Sequence, residues 1–233
     1  MQVVILAGGL STRLGNITKT IPKSMVLFNN KPFIEYQIEE LILNGVTDII
    51  ICVGFLSKKI INYFENSKYK KFIKFSYDGK QQLGTFGAIT NAKSILNDFF
   101  FVMYGDSFLR INYKKMYLQF IHSPTTLMLS VYRNNNKIDK SNIDYKDGRI
   151  FDYNKNNNNF QYIDYGAFLI DKSLIDKYCL FRNHEDVFRE NVYNKDILGY
   201  EVFDRFYQIG SIDGINEFKK YIGKHYDSNT NTL

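Results

Sequence analysis

Hydrophobic and polar positions along this chain follow two rhythms. Short unbroken apolar runs, "QVVILAG" at 2–8, "DIIICVG" at 48–54 and "DFFFVMYGDS" at 98–107, end on glycine or a polar turn. Such runs read as strands buried on both faces of a sheet. Between them, apolar residues recur at helical spacing. In "KPFIEYQIEELILNG", Phe33, Ile34, Tyr36, Ile38, Leu41 and Ile42 share a face, and Gly45 stands where a C-cap is expected. "SKKIINYFENS" at 57–67 predicts a short amphipathic helix, "KFIKFSYDG" at 71–79 a further strand, and "LGTFGAITNAKSIL" at 83–96 a helix entered through glycines. This alternation over 1–110 predicts an α/β fold with a mostly parallel central sheet and helices on both faces.

The rhythm changes after residue 110. "TTLMLSVYR" at 125–133 and "YIDYGAFLID" at 162–171 are strand-like, and between them lies an Asn-rich stretch with a hairpin signal at Lys146-Asp147-Gly148-Arg149. The expectation is a small mixed β insert over the carboxyl edge of the main sheet. A helical segment near 172–178, an irregular or helical region near 184–198, a strand "GYEVFDRFYQIG" at 199–210 and a helix "GINEFKKYIG" at 214–223 complete the pattern. Residues 226–233 read as a polar, frayed tail. The organisation expected is a single domain over 1–225, with halves at 1–110 and 111–225.

Composition narrows the function classes. Hydrophobic residues make up 45% and charged residues 23%, an ordinary globular balance. The net charge of +6 suits nucleic acid or phosphorylated small molecules, but the lysines come in short sets (Lys58-Lys59, Lys114-Lys115, Lys219-Lys220) separated by acidic residues, so no nucleic-acid partner is expected. Cys52 and Cys179 are far apart and show neither a disulfide nor a metal spacing. The apolar runs are too short to span a membrane, and the first strand follows Met1 at once, which predicts a cytoplasmic protein, monomeric or homodimeric, with no membrane partner.

The candidate chemistry starts at the end of the first strand, "VVILAGGLSTRLG". Gly8 and Gly9 leave backbone N–H groups bare for close approach to a base or phosphate. The loop lacks the lysine of a Walker loop, and its glycines at 8, 9 and 15 miss the dinucleotide fingerprint. Arg13 offers a fixed fork for phosphate oxygens, and Lys23 follows Pro22 nearby.

These residues resemble a known pattern. "LAGGLSTRLGNITKTIPKSM" is similar to the signature of the nucleotide-sugar pyrophosphorylases, or sugar-1-phosphate nucleotidyltransferases. "KPFIEYQIEELILNGVTDIII", "LGTFGAI", "FFVMYGDSFL" and "GYEVFDRFYQIGSIDGINEFKKYI" also agree with it, so the resemblance spans nearly the whole chain. The variant looks like the small mannose-1-phosphate or D-glycero-alpha-D-manno-heptose-1-phosphate guanylyltransferases, with no acyltransferase domain after residue 225. The resemblance implies a Rossmann-like nucleotidyltransferase fold, with a nucleotide-binding half and a sugar-phosphate-binding half. It implies transfer of a nucleoside monophosphate from an NTP, GTP favoured, to a sugar 1-phosphate, with Mg²⁺ and release of pyrophosphate. It places the nucleotide on Leu6, Ala7, Gly8, Gly9, Ser11, Thr12, Gly84 and Thr85, and the catalytic roles on Arg13, Lys23 and Asp106. The metal falls to Asp106, and the sugar phosphate to Lys155, Asp164 and Gly166. Phe86 stands where the family mostly has a small residue, which predicts a different pocket wall.

The clearest departure is Gln208, in "FYQIGS", where the family usually has a carboxylate as second metal ligand. An amide oxygen can coordinate Mg²⁺ but brings no charge; Asp204 is the neighbour that could compensate. Two alternatives follow from the same residues: a cytidylyl- or uridylyltransferase for another phosphorylated acceptor, and a non-catalytic nucleotide-sugar-binding protein.

Overall fold

The computed structural model describes residues 1–9, 14–15, 18–79 and 81–226. Its strands are β1 (Gln2–Leu6), β2 (Leu27–Phe28), β3 (Lys31–Pro32), β4 (Asp48–Val53), β5 (Ile73–Tyr77), β6 (Phe99–Tyr104), β7 (Ser107–Phe108), β8 (Leu127–Arg133), β9 (Ile143–Lys146), β10 (Arg149–Tyr153), β11 (Tyr162–Asp171), β12 (Leu198–Val202) and β13 (Tyr207–Gln208). Its helices are α1 (Phe33–Leu43), α2 (Ser57–Glu65), α3 (Thr85–Asn91), α4 (Tyr113–Ile121), α5 (Ser173–Lys177), α6 (His184–Tyr193) and α7 (Ile212–His225).

Nine strands form one sheet in the order β5-β4-β1-β6-β11-β8-β12-β10-β9. The first four are parallel, as their unbroken apolar runs predict. Alternate residues leave opposite faces of a strand, so each run feeds two cores. Val3, Ile5, Ile49, Ile51, Phe101 and Met103 enter one; Val4, Ile50, Cys52, Phe100 and Val102 enter the other. The chain runs from β1 to β4 and β5 on one side and then to β6 on the other. The gap between β1 and β6 is therefore the switch point, where ligands of open α/β sheets bind at the carboxyl ends.

The strands after residue 110 do not lie over the edge of this sheet as a separate insert. They continue it: β11 pairs antiparallel with β6 and β8, and β12 runs parallel to β8. Because β11 is reversed, its amino end lies beside the carboxyl end of β6. The β9–β10 hairpin turns at Asp147 and Gly148, both at positive φ (49° and 83°), as its sequence signal predicts. The expected strand at 199–210 breaks in two: β12 ends at Val202, and β13 leaves the large sheet to pair with β7. An aromatic cluster around Phe218 of α7 holds this small ribbon. Its ring lies 4.8 Å from Phe28, 4.8 Å from Phe33 and 5.3 Å from Phe108. Among the described residues no helix is long and apolar enough to cross a membrane.

Candidate active site

The parallel strands end side by side. Ala7 N donates to the Cys52 carbonyl at 2.9 Å, Gly105 N to that of Leu6 at 3.0 Å, and Asp78 N to that of Val53 at 2.9 Å. Beyond these bonds opens a cleft of about 650 Å³. Leu6, Ala7, Gly8, Gly9, Lys23, Gly84, Thr85, Asp106, Lys155, Asp164 and Gln208 all line it. Arg13, Ser11 and Thr12 lie outside the described residues.

At the glycine loop, a Cβ on Gly8 would stand 2.5 Å from Asp78 Oδ2 and 3.3 Å from Gly54 N. Glycine there lets the Asp78 carboxylate lie against the end of β1. Burial pushes the Asp78 pKa up to about 6. Its Oδ1 is buried and has no hydrogen-bond partner among the described residues.

Lys23 opens a short 3-10 turn after Pro22, whose backbone is extended (φ −58°, ψ 145°). Its Nζ reaches Asp106 Oδ2 at 2.9 Å, joining positions far apart in sequence. Gln37 of α1 braces this turn from below, donating to the carbonyls of Tyr104 (3.0 Å) and Ser107 (2.8 Å). Gln208 pairs opposite Ser107, and Ile209 N donates to the Asp106 carbonyl at 3.0 Å. The break in the predicted strand thus carries Gln208 to the Asp106 turn. Asp204 is not among the cleft-lining residues; its charge acts on Arg110 and Glu40 instead.

Gly84 has φ +79° and ψ 174°, a conformation open essentially to glycine alone. A Cβ there would meet the Arg182 carbonyl oxygen at 2.5 Å. That carbonyl accepts from Phe86 N at 2.8 Å and Gly87 N at 3.3 Å, so the first amides of α3 are satisfied by the protein itself. Phe86, expected in the pocket wall, is instead fully buried in the core beneath α3.

On the opposite wall, Lys155 follows β10 and pairs with Glu185 of α6. Burial alone would raise the Glu185 pKa, but the Lys155 bond and charge, with Arg189, hold it below the usual value. Asp164 sits on β11 just before a register shift, where Gly166 (φ +104°) donates its N–H to Asp164 Oδ1 at 2.9 Å. Gly166 does not itself line the cleft. Burial raises the Asp164 pKa, opposed by hydrogen bonds from Tyr104 and Gly166 N.

Sequence reasoning missed Asp78, Gln82, Tyr104, Asn142, Tyr153 and His184, all of which line the cleft. Asp78 and Tyr104 stand at the carboxyl ends of predicted strands, the same signal that singled out Asp106. His184 gives no local signal; it starts a helix in a region read only as irregular or helical.

With the cleft so placed, similarity to known proteins can be set beside it. The sequence matches the Nucleotidyl transferase family over residues 2–139, more than half of the chain. The chain belongs to this family. This nucleotidyl transferase is 32% identical over 209 residues to the D-glycero-alpha-D-manno-heptose 1-phosphate guanylyltransferase of Campylobacter jejuni, covering 89% of this chain and 93% of that protein. It is 25% identical to the enzyme of the same name from Aneurinibacillus thermoaerophilus, covering 97% and 100%. Among solved structures, HddC from Yersinia pseudotuberculosis complexed with GMP-PN superposes with a TM-score of 0.78 at 25% identity, over 95% of this chain and 99% of that one. The nucleotidyltransferase fold expected from the sequence is therefore the fold observed.

Proposed function

We propose that this nucleotidyl transferase moves a guanylyl group from GTP to a heptose- or mannose-type sugar 1-phosphate, in a Mg²⁺-dependent reaction that releases pyrophosphate. The observation that carries this reading is the Lys23–Asp106 pair, held in the cleft at the β1/β6 switch point. The sugar phosphate attacks the α-phosphorus and pyrophosphate leaves. No covalent enzyme intermediate is needed, so positioning and charge neutralisation carry the rate.

The roles follow the walls of the cleft. The backbone of Leu6 to Gly9, with Gly84 and Thr85, holds the nucleoside. Arg13 takes the β- and γ-phosphates and Lys23 the α-phosphate. Asp78 lines the nucleoside end of the cleft, where its carboxylate would accept from the N1–H and N2–H₂ groups of guanine. The adenine edge offers an acceptor in place of one of them, which would leave the carboxylate unpaired. Lys155 and Asp164 face the sugar phosphate and a sugar hydroxyl. Lys155 exchanges its bond to Glu185 for one to the substrate phosphate.

Among the described residues no three His, Cys, Asp or Glu side chains gather as a metal cluster. Asp106 with the Gln208 amide fits Mg²⁺ nonetheless, since this ion keeps several waters and binds through one or two carboxylates plus substrate phosphates. When bound, the ion would neutralise charge on the phosphates. Gln208→Glu should lower the Mg²⁺ concentration for half-maximal rate, because a charged oxygen attracts the cation more strongly than an amide oxygen. An unchanged Mg²⁺ titration removes Gln208 from the metal.

The decisive experiment is pyrophosphate release from a matrix of GTP, ATP, CTP and UTP against heptose, mannose and glucose 1-phosphates. GTP with a manno-configured acceptor should dominate. A preference for CTP or UTP overturns the guanylyl assignment.

A further inference from the structure

One partly buried chain of hydrogen bonds runs along the lining of the cleft and joins its two walls. Thr85 Oγ1 lies 2.7 Å from His184 Nδ1, His184 Nε2 lies 2.7 Å from the Tyr104 hydroxyl, and that hydroxyl lies 2.8 Å from Asp164 Oδ2. The Thr85 oxygen also accepts from His184 N at 3.0 Å. His184 is 8% exposed and sits between aromatic rings, stacked on Phe168 and edge-on to Phe188.

The donors in this chain can be assigned. Tyr104 has one hydroxyl hydrogen and two neighbours, and the Asp164 carboxylate can only accept. Tyr104 therefore donates to Asp164, and its oxygen must receive a hydrogen from His184 Nε2. His184 then has Nδ1 free to accept, and the Thr85 hydroxyl supplies the donor. Burial pushes the His184 pKa down to about 4, so the ring is neutral and a single tautomer satisfies every atom. All hydrogens point the same way, from the first residue of α3 to the carboxylate on β11.

We propose that His184 is a positioning residue: as the Nε2–H tautomer it fixes the Tyr104 phenol, and through it aims Asp164 at the sugar as a pure acceptor. The segment that carries it is anchored at the other wall, where the Arg182 carbonyl holds the Phe86 and Gly87 amides. The next residue, Glu185, holds Lys155. Residues 182–185 thus tie both sugar-side groups to the first turn of α3 on the opposite wall. The sugar part of this inference rests on the reading given under Proposed function; the tautomer does not.

Two measurements separate them. In the unliganded protein, ¹⁵N NMR of the histidines reads the tautomer directly, with His184 assigned by its loss in His184→Phe from a chain holding three histidines. Protonated Nε2 and unprotonated Nδ1 between pH 5.5 and 8 are expected; the opposite tautomer, or averaging of the two, overturns the proposal whatever the substrate. In pyrophosphate-release kinetics, His184→Phe keeps the stacking and removes both bonds. It should raise KM for the sugar 1-phosphate about tenfold, the effect of one lost bond to a charged group, and leave KM for the nucleotide within about twofold. Tyr104→Phe should match it, and the double variant should be no worse than either single one. His184→Gln, whose amide can still donate to Tyr104, should recover part of the loss and serves if His184→Phe folds poorly by circular dichroism. Equal changes in both KM values, or additive losses, reduce His184 to packing and overturn the proposal. If no substrate pair turns over with the wild type, the functional reading fails while the tautomer result stands.

Discussion

Along the wall built from β1, β4, β5 and β6, the cleft is met by the run Leu6 to Gly9 and by Gly84, where an added Cβ would collide, together with the side chains of Asp78, Tyr104 and Asp106. Along the wall built from β10 and β11 it is bounded by side chains, with Tyr153, Lys155, Asp164 and His184 each tied to another side chain. The difference follows from strand direction. Parallel strands bring their carboxyl ends and free backbone groups to one edge. The reversed β11 brings its amino end there, and its polar contacts must come from residues distant in sequence. One wall thus carries the glycine-rich loops, the other a network of linked side chains.

The sharpest test of this division lies at its centre. Lys23 and Asp106 meet between the walls, and under the proposed function both act on charge that develops during transfer. Asp106→Asn and Lys23→Ala should each cut kcat by about 10²–10³-fold, the range for loss of one group stabilising a transition state. Circular dichroism should stay unchanged. A variant of either kind with near-wild-type kcat would move the chemistry elsewhere in the cleft.

A smaller effect separates the walls themselves. Gly84→Ala places a methyl group against the Arg182 carbonyl in a backbone conformation that only glycine adopts easily. Backbone strain and overpacking cost on the order of 1–3 kcal/mol each. The melting temperature should fall by roughly 5–15 °C for a chain of this size. Tyr153→Phe, on the side-chain wall, removes two long contacts, 3.5 Å to Asp164 and 3.5 Å from Asn142 Nδ2, and should leave the melting temperature within about 2 °C. If the two variants melt alike, the contrast between glycine-rich loops and network is wrong.

The same contrast explains what the sequence made legible. Apolar rhythm located β1, β4, β5 and β6 and the helices between them, because a strand buried on both faces leaves few alternatives for its residues. Lys23, Asp106 and the glycine loop stood out because their positions follow from where those strands end. Gln208 was visible as a departure, and the resemblance set it at the metal with Asp106, but the route there was not legible, since nothing local shows that β13 leaves the line of β12 to pair with β7. Phe86 was misplaced for a related reason: α3 turns its ring into the core, and that rotation is set by the docking of Arg182. The links of His184 to Thr85 and Tyr104 span 99 and 80 residues, and no pattern within a helix or strand records them.

The finest comparison is between two carboxylates, one on each wall. Asp164 is buried but receives hydrogen bonds from Gly166 N and the Tyr104 hydroxyl. Asp78 is raised by burial alone, to about 6 from an ordinary 3.8. An acid with a raised folded-state pKa holds a proton that the unfolded chain has already released. Between about pH 4 and 6 the native state therefore binds more protons, and stability falls as pH rises through that window. Above it the penalty is constant, and below it the penalty is absent. Asp78→Asn removes the titration while nearly preserving shape. The variant should melt close to wild type near pH 4 and above it by a few degrees at pH 7, with the gap opening between those limits. Thermal melts of both proteins across pH 4–7.5 check this. Curves that run parallel throughout would show that Asp78 has its ordinary pKa and a partner of its own.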